Sequence, residues 1–397
     1  MGRLSWISDS IRAFFRKGDL LLLFLCLAAS GYGLVLIYSA TRWSGGYRSI
    51  IVQAIAIALG VLVYILISSV DIELFTEKSW KLLLGFNVLI NLLVRTPLGE
   101  DNGSGNLSWL HIPGFPVNLQ PAEIAKLTFV LVLAWQINRL QERGISRPSS
   151  VFQIAGHAVF MFALISAASG DYGMGLTYLL IFVVMAWAGG VKKRWFLLAI
   201  GVCIVGVVLI WPHISDKYFA RRITVVIDHL TGNQDTLFDQ TQGAGWQQTR
   251  SILAIGSGGI FGQGYLQGIQ TQSPYETSLP ARHTDEIFAV CGEEFGLVGC
   301  VLLLLILAAI ILRCVWVARR ACSPQSALIA MGYAGMLLVQ VGINVGMCLY
   351  VFPVVGLTLP FISYGGSSIL TMYAAMGVVS SIKMRSLPSW LRDRSRI

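Results

Sequence analysis

The sequence predicts an all-α polytopic membrane protein with about ten transmembrane helices, both termini in the cytoplasm and a large outer loop between helices seven and eight. Hydrophobic residues make up 55% of the 397 residues and charged residues only 12%, whereas a soluble globular domain carries about 25% charged residues. Apolar stretches of roughly 20 residues, the length that crosses a bilayer, recur along the chain. Lys and Arg cluster between these stretches, so the net charge of +9 indicates membrane orientation and argues against nucleic-acid binding.

Ten apolar segments define the predicted spans of a single domain that covers residues 1–397. They are 19–40, 50–70, 80–95, 121–138, 152–169, 173–190, 194–211, 285–314, 325–350 and 367–384. With ten spans the basic clusters all fall on one side, which the positive-inside rule assigns to the cytoplasm. Residues 1–18 and 385–397 are then cytoplasmic, and residues 212–284 form a long extracytoplasmic loop.

Several kinds of site are absent from the sequence. The seven cysteines lie in apolar stretches or beside basic loops, without CxxC spacing, which argues against disulfides and metal clusters. Residues 256–264 are rich in glycine but match no phosphate-binding motif. We interpret them as a flexible or re-entrant segment, and residues 221–227 as a short amphipathic piece at the membrane surface.

Asp285 is the first candidate for chemistry, because an ionisable side chain at the edge of a membrane helix is costly unless it has a partner or a task. Steps of four and three residues from Asp285 reach Ala289, Gly292, Gly296 and Gly299. This stripe of small residues predicts that a neighbouring helix approaches closely. Two interpretations stay open: Asp285 caps the helix, or it acts in catalysis or binding.

Three glutamates follow Asp285 closely: Glu286, Glu293 and Glu294. Carboxylates in a membrane helix require basic or hydrogen-bonding partners, or protonation. For Glu293 and Glu294 we expect hydrogen bonds to a neighbouring helix or loop.

A second group of candidates lies near the start of the fourth span. Pro121 suits the first helical turn, and Glu123 and Lys126 share one helix face at i, i+3. The pair is either a structural ion pair or a site where Lys126 contacts a phosphate and Glu123 orients it. Trp109, in the preceding outer loop, is either a membrane-interface anchor or a surface that stacks on a sugar ring.

Taken in order, seven segments resemble the SEDS family (shape, elongation, division and sporulation) of bacterial peptidoglycan polymerases, typified by RodA and FtsW. The segments are Gln120–Lys126, Gly170–Gly173, Ala254–Gly259, Leu279–Asp285, Glu293–Gly296, Asn344–Met347 and Leu359–Ser368. The resemblance covers roughly residues 20–384, and the ordered set is far more specific than any one segment.

The resemblance implies a glycosyltransferase of the bacterial cytoplasmic membrane that polymerises lipid II, the undecaprenyl-pyrophosphate-linked precursor, on the outer face. It places the family's essential aspartate on Asp285, its cavity Glu and Lys on Glu123 and Lys126, and its tryptophan on Trp109. A divalent cation, Mg²⁺ or Mn²⁺, near Glu123 or Asp285 and a class B penicillin-binding protein as partner are also implied. We expect Asp285 to act as general base and Lys126 to stabilise the leaving pyrophosphate, with inversion at the anomeric carbon.

The chain departs from the family pattern at Ser108, Ala122, Ala281, Glu286 and Arg250. The family has an Arg at the position of Ser108, so one cation near the substrate is missing. Arg222 or Arg250 can supply that charge, and Gln247 is a further candidate for substrate binding. Residues 268–272 resemble the elongation type more than the division type.

Two other functions remain open from the sequence. Ten helices with internal charges could line a path for a transporter of lipid-linked precursors, although such a path needs charges towards both faces. The departures also leave room for a catalytically weak scaffold that only organises a penicillin-binding partner.

Overall fold

The computed structural model describes residues 14–44, 47–101, 106–111, 118–214, 218–233, 235–275 and 277–386. Within them the chain is almost entirely helical. The α-helices are α1 (Leu20–Thr41), α2 (Tyr47–Ser68), α3 (Ile72–Leu92), α4 (Pro121–Gln141), α5 (Pro148–Ser169), α6 (Tyr172–Ala188), α7 (Lys193–Ile214), α8 (Tyr218–Thr231), α9 (Leu237–Thr241), α10 (Trp246–Gly258), α11 (Ile287–Arg319), α12 (Pro324–Cys348) and α13 (Gly366–Met384). One small antiparallel sheet, β1 (Gly99–Glu100) with β2 (Trp109–Leu110), departs from the all-α prediction.

Each of the ten predicted segments falls on a helix, but only six helices of the described chain are long and apolar enough to cross a membrane. These are Leu20–Thr41, Tyr47–Ser68, Pro148–Ser169, Lys193–His213, Ile287–Arg319 and Pro324–Cys348. Helix α6 is apolar but short. The chain is therefore an all-helical polytopic membrane protein with six clear span candidates, and the count of ten remains a prediction.

Two of the remaining helices, α4 and α13, are less apolar because they lie largely inside the bundle. Most of α13 is buried, and it packs along α2, where a Cβ on Gly60 would meet the ring of Tyr373 at 2.7 Å. Much of α4 is buried too. A helix surrounded by protein can carry polar side chains that bond to its neighbours, so mean hydropathy underestimates its depth.

Two predicted boundaries were wrong, and local capping explains the first. Helix α3 begins at Ile72 and not near residue 80, because Asp71 precedes it and accepts a hydrogen bond from the Leu74 amide at 3.1 Å. Helix α11 begins at Ile287, so Asp285 lies just outside it. The predicted tail 385–397 and N-terminal segment 1–18 fall mostly outside the described residues.

The long loop 212–284 is folded, not open. It contains α8, α9 and α10, and the predicted amphipathic piece 221–227 lies within α8, which has Val225 and Val226 buried against Tyr350. The segment is helical and packs its buried valines on protein, and its position at the membrane surface remains a prediction.

The stripe of small residues on α11 meets α10 and the glycine segment that follows it. A Cβ on Gly258 would lie 1.9 Å from the carbonyl oxygen of Gly292. The amides of Gln263 and Gly264 donate to the carbonyls of Glu293 and Glu294 at 2.9 and 3.1 Å. Gly296, at φ 66°, breaks the helical backbone of α11 and leaves these carbonyls available. The predicted close approach is confirmed, and the glycine segment is its partner.

This contact predicts a stability difference between two glycines on α10. Gly258→Ala should destabilise the protein by about 1–3 kcal/mol because the new methyl group clashes with backbone. Gly256→Ala is the matched control, since a Cβ added at that position would meet nothing within 4 Å. Thermal unfolding in detergent measures both, and a Gly258→Ala protein that melts with Gly256→Ala would contradict the packing.

Candidate active site

Glu123 and Lys126 form a buried ion pair in the first turns of α4. Lys126 Nζ lies 2.7 Å from Glu123 Oε1, and the Lys126 and Glu123 side chains are 0% and 2% exposed, respectively. Pro121 at the start of the helix fixes its first turn, as predicted. The amide of Gln340 on α12 lies 3.5 Å from the same oxygen. Glu123 Oε2 is buried and has no hydrogen-bond partner in the described part of the chain.

Asp171 joins this pair, although the sequence alone assigned it no role. It precedes α6 and accepts a hydrogen bond from the Met174 amide at 2.8 Å. It also lines a small recess with Ser108, Gln120 and Ala122. Burial raises the pKa of Asp171, while the Met174 amide and the charge of Lys126 oppose that shift.

The backbone carbonyl of Asp285 is fixed by a hydrogen bond, whereas its carboxylate accepts no hydrogen bond among the described contacts. Its carbonyl accepts a hydrogen bond from Asn344 Nδ2 at 2.8 Å, and the same nitrogen donates to the Leu357 carbonyl at 2.7 Å. The residue before α11 is Glu286, which makes no capping hydrogen bond. Among the described contacts the Asp285 carboxylate accepts no helix amide either, so the capping interpretation is wrong. A Cβ on Gly356 would lie 3.8 Å from Asp285 Oδ2.

The surroundings of Asp285 favour its protonated form. Burial, followed by the charges of Glu286 and Asp171, raises the pKa of Asp285 from 3.8 to about 7, and the nearby Arg222 partly opposes this. Arg222 is positioned by a hydrogen bond of 2.8 Å from Nη1 to the Val354 carbonyl. Two of the predicted site residues, Asp285 and Arg222, are thus brought together, and Asp171 links them electrostatically to the ion pair on α4.

The other glutamates have structural partners, as predicted for Glu293 and Glu294. Glu293 accepts hydrogen bonds from the Gln270 amide at 2.7 Å and from the backbone and side chain of Thr271 at 2.8 and 2.6 Å. Glu294 accepts from Ser39 at 2.6 Å and Gln272 at 2.9 Å. Both therefore fasten the outer loop to α11.

Glu286 directly follows Asp285 in the chain. It is buried and accepts a hydrogen bond from Gln247 Nε2 at 3.1 Å. Gln247, a predicted substrate contact, is therefore engaged in supporting Glu286 beside Asp285.

Two of the predicted site residues, Trp109 and Arg250, make no contact with Asp285 or with the Glu123–Lys126 pair among the described contacts. Trp109 lies in β2, paired with Glu100, and its neighbour Ser108 rather than Trp109 lines the recess with Asp171. Arg250 lies on α10, and no contact with Asp285 or the ion pair is found among the described residues. Their substrate roles remain predictions.

Sequence reasoning assigned no role in the site to Asp171, Asn344 or Gly356, although the first two lie in segments that carry the family resemblance. Asp171 follows Gly170, which has φ 77° and ends α5, so a helix stop followed by a capping aspartate was the available signal. Asn344 lies near the C-terminal end of α12, and nothing in the local sequence indicates its partner. Only the fold brings it to the Asp285 carbonyl.

A metal site built from the protein alone does not fit these residues. No group of three or more His, Cys, Asp or Glu side chains in the described chain could hold an ion. Glu123 already binds Lys126 through one oxygen. The predicted ligands, Glu123 and Asp285, would have to be completed by substrate oxygens, as is common for Mg²⁺.

These features define a multi-pass membrane protein with a buried, charged site at one end of the bundle. Residues 20–387 match the FtsW, RodA and SpoVE family of cell cycle proteins. The chain belongs to this family, the SEDS family, and it is a peptidoglycan glycosyltransferase.

The relatives of this chain include proteins named MrdB and proteins named FtsW. The chain is 33% identical over 367 residues to peptidoglycan glycosyltransferase MrdB of Escherichia coli (strain K12), covering 92% of this chain and 93% of the relative. It is 31% identical over 379 residues to probable peptidoglycan glycosyltransferase FtsW of Geobacter metallireducens, covering 92% and 95%.

Two solved structures share the fold. One, from work on the structural coordination of polymerization and crosslinking by a peptidoglycan synthase complex, has TM-score 0.75 and 28% identity, covering 96% of this chain and 99% of that one. A point mutant of the rod shape determining protein RodA of Thermus thermophilus has TM-score 0.64 and 26% identity, covering 94% and 99%.

The ion pair on α4 predicts an asymmetric response to mutation. Lys126→Met should destabilise the protein by about 3–5 kcal/mol, because it leaves the Glu123 charge buried without a partner. The double variant Glu123→Gln, Lys126→Met should recover most of that loss. Thermal unfolding measures the effect, and Lys78→Met at an exposed site is the control. Equal stability of Lys126→Met and the wild type would refute the pair's structural role.

Proposed function

We propose that this chain polymerises lipid II into glycan strands on the outer face of the bacterial cytoplasmic membrane, with Asp285 as the general base. One observation carries the proposal: Asp285 is a partly buried carboxylate with a pKa of about 7, beside a cation and without a capping partner among the described residues. A base is most effective when its pKa lies near the working pH. The ten-span topology with cytoplasmic termini is part of the same proposal.

In the proposed reaction Asp285 acts on the acceptor sugar, and the nearby cations act on the leaving group of the donor. The carboxylate removes the proton of an acceptor sugar hydroxyl as that oxygen attacks the anomeric carbon of the donor. The bond from this carbon to the pyrophosphate oxygen breaks, and a single displacement inverts the centre. Lys126 and Arg222 are the cations that stabilise the departing pyrophosphate. The Lys126 ammonium has three N–H donors, and Glu123 accepts only one of them.

The supporting residues keep these groups in place. Asn344 fixes the backbone of Asp285 from α12, and Glu123 orients Lys126 within α4. Gln247 donates a hydrogen bond to Glu286 Oε1, while Glu286 Oε2 is buried without a hydrogen-bond partner among the described residues, so this second carboxyl group is held next to the base. A divalent cation, if bound, would neutralise pyrophosphate charge near Glu123 or Asp285, and no step here depends on it.

A crosslinking partner belongs to the proposal. The structure with TM-score 0.75 comes from work on a complex that coordinates polymerization and crosslinking, and a class B penicillin-binding protein is the partner that we propose. Residues 268–272 favour a role in cell-wall elongation over division.

A lipid-linked precursor transporter is the second candidate. A specific observation favours it: besides the groups near Asp285, the described chain buries an ion pair near the far end of α11, Asp19 with Arg313 at 2.9 Å, and a transport path needs polar groups towards both faces. Vesicles of defined sidedness, assayed separately for glycan formation and for lipid II movement, discriminate the two. Movement of lipid II without polymerisation would refute the glycosyltransferase proposal. The absence of both activities would favour the scaffold hypothesis.

Replacing the base should abolish most activity. Asp285→Asn keeps the shape but cannot accept the proton, so polymerisation of labelled lipid II by the purified complex should fall by about 10²–10⁴-fold. Asp235→Asn, at an exposed position of the same outer loop, is the matched control and should act like the wild type. Wild-type rates from Asp285→Asn would disprove the assignment.

The pKa of Asp285 gives a pH dependence. The base works only when ionised, so kcat/KM should rise about tenfold per pH unit below 7 and level off above it. The pKa of Asp285 is higher in the folded protein than in the unfolded chain, so the unfolded chain releases this proton at a lower pH. The stability that Asp285 contributes should therefore fall as the pH rises from about 4 to about 7.

Rates and thermal unfolding across that range, compared with Asp285→Asn, measure both effects. The variant should lose the stability change that Asp285 causes. A rate that is flat from about pH 5 to 8 would contradict the raised pKa.

A further inference from the structure

A polar cleft opens between α3, α4 and α12, at the end of the bundle away from Asp285. It has a volume of about 360 Å³ and is lined by Glu77, Trp80, Trp135, Arg139, Glu142 and Gln325, among others. Helix α4 ends at Gln141 and α12 begins at Pro324, so the cleft lies beside the basic loops that join these helices to their neighbours. The proposed topology assigns these loops to the cytoplasmic face, on the other side of the membrane from the proposed reaction.

Two stacked tryptophans form the apolar wall of the cleft. The ring centroids of Trp80 and Trp135 lie 4.3 Å apart with an interplanar angle of 17°. Both side chains are half-buried. At a rise of 1.5 Å per residue, Trp80 lies about 12 Å from the start of α3 at Ile72. Tryptophan is enriched at this level, where the hydrocarbon meets the headgroups, so the cleft lies beside the headgroups of the inner leaflet.

The cleft carries charges of both signs, and the protein itself does not pair them. Glu77 and Glu142 supply two carboxylates, and Arg139 supplies one guanidinium group. None of the three takes part in an ion pair within the described part of the chain. Arg139 packs over the Trp135 ring, with its guanidinium carbon 5.4 Å from the ring centroid. All three charges are therefore available to an ionic ligand.

Gln325 is the observation that points to a ligand. Its side chain lines the cleft and is only 4% exposed, and its Nε2 has no hydrogen-bond partner among the residues that the structure describes. Folded proteins rarely leave a buried amide donor without an acceptor. The terminal amide of glutamine turns about a soft torsion, so this nitrogen can reach an acceptor oxygen placed in the cleft.

A neighbouring cleft at the same end of the bundle shows the contrast. It is lined by Asp71, Glu73 and Arg385, among others, and it shares Glu77 with the first cleft. There Asp71 lies 3.5 Å from Arg385, and Glu73 accepts a hydrogen bond from Ser326 Oγ at 2.7 Å. These groups are partnered by the protein, so the neighbouring cleft offers a ligand less than the cleft around Arg139.

The ligand that fits is a zwitterion at the membrane surface. An ammonium group matches Glu77 and Glu142, and a phosphate matches Arg139 and the Gln325 amide, because charge-assisted hydrogen bonds are the strongest of their kind. A basic peptide would use the two carboxylates but would be repelled by Arg139. We infer that this cleft binds the headgroup of an aminophospholipid, such as phosphatidylethanolamine, from the cytoplasmic leaflet.

The direct test compares two short-chain lipids with identical acyl chains on the purified full-length chain in detergent, by native mass spectrometry. The wild type should bind phosphatidylethanolamine about tenfold more tightly than phosphatidylglycerol, which has the phosphate but no ammonium group. The double variant Glu77→Gln, Glu142→Gln should bind the two lipids equally. Arg139→Gln should weaken the binding of both about fivefold.

Arg143→Gln is the matched control, because Arg143 is an exposed arginine just beyond α4 that does not line the cleft. It should bind both lipids as the wild type does. The substituted side chains are all exposed, so the variants should fold. Added phosphatidylethanolamine should raise the melting temperature of the wild type and of Arg143→Gln, and it should leave that of the double variant unchanged.

Two results would overturn the inference directly. They are equal affinity of the wild type for the two lipids, and an affinity of the double variant for phosphatidylethanolamine equal to that of the wild type. Neither measurement depends on glycan synthesis.

Two further probes identify the source of the charges. Soluble glycerophosphoethanolamine has the same headgroup without acyl chains, so it should bind at least about tenfold more weakly than the lipid. Equal binding would replace the lipid with a soluble phosphodiester. A lysine-rich octapeptide that binds more tightly than the lipid, and only when Glu77 and Glu142 are present, would replace it with a basic peptide. Either result overturns the aminophospholipid as the ligand.

Discussion

The cost of placing charge away from water governs the outer end of this protein. Glu123 and Lys126 are almost fully buried, and each is tolerable there only because the other lies 2.7 Å away. The same cost raises the pKa of Asp285, for which the described residues supply no ion pair of this kind. The cost of burying charge therefore explains both the close Glu123–Lys126 ion pair and the raised pKa of Asp285.

The site depends on backbone contacts that only glycine permits. Gly258 and Gly292 bring α10 against α11 with no room for a methyl group, and Gly296 opens the helix so that the following loop can bond to it. Glu293 and Glu294 then anchor the residues between α10 and α11. The loop that leads to Asp285 is held by this packing, so the position of Asp285 depends on the whole segment between α7 and α11.

The departures from the family pattern have different consequences. Burial raises the pKa of Asp285, and the charge of the neighbouring Glu286, followed by that of Asp171, raises it further. Gln247 is drawn to Glu286 by a hydrogen bond. Ser108 lies in the recess beside Asp171, where it adds no cation, while Arg222 supplies positive charge from α8 near Asp285.

Composition, apolar length and ordered motifs were enough to predict a polytopic helical membrane protein, its family and the residues Asp285, Glu123 and Lys126, because these are local properties of the chain. Burial of α13 against α2 was not predictable, since a helix inside a bundle no longer needs an apolar surface. The roles of Asn344 and Gly356 could not be assigned from the sequence, because these residues meet Asp285 only when α12 and the loop before α13 converge on it. Local sequence sets which groups can be charged or helical, and tertiary packing decides which of them share the same small volume and therefore each other's electric field.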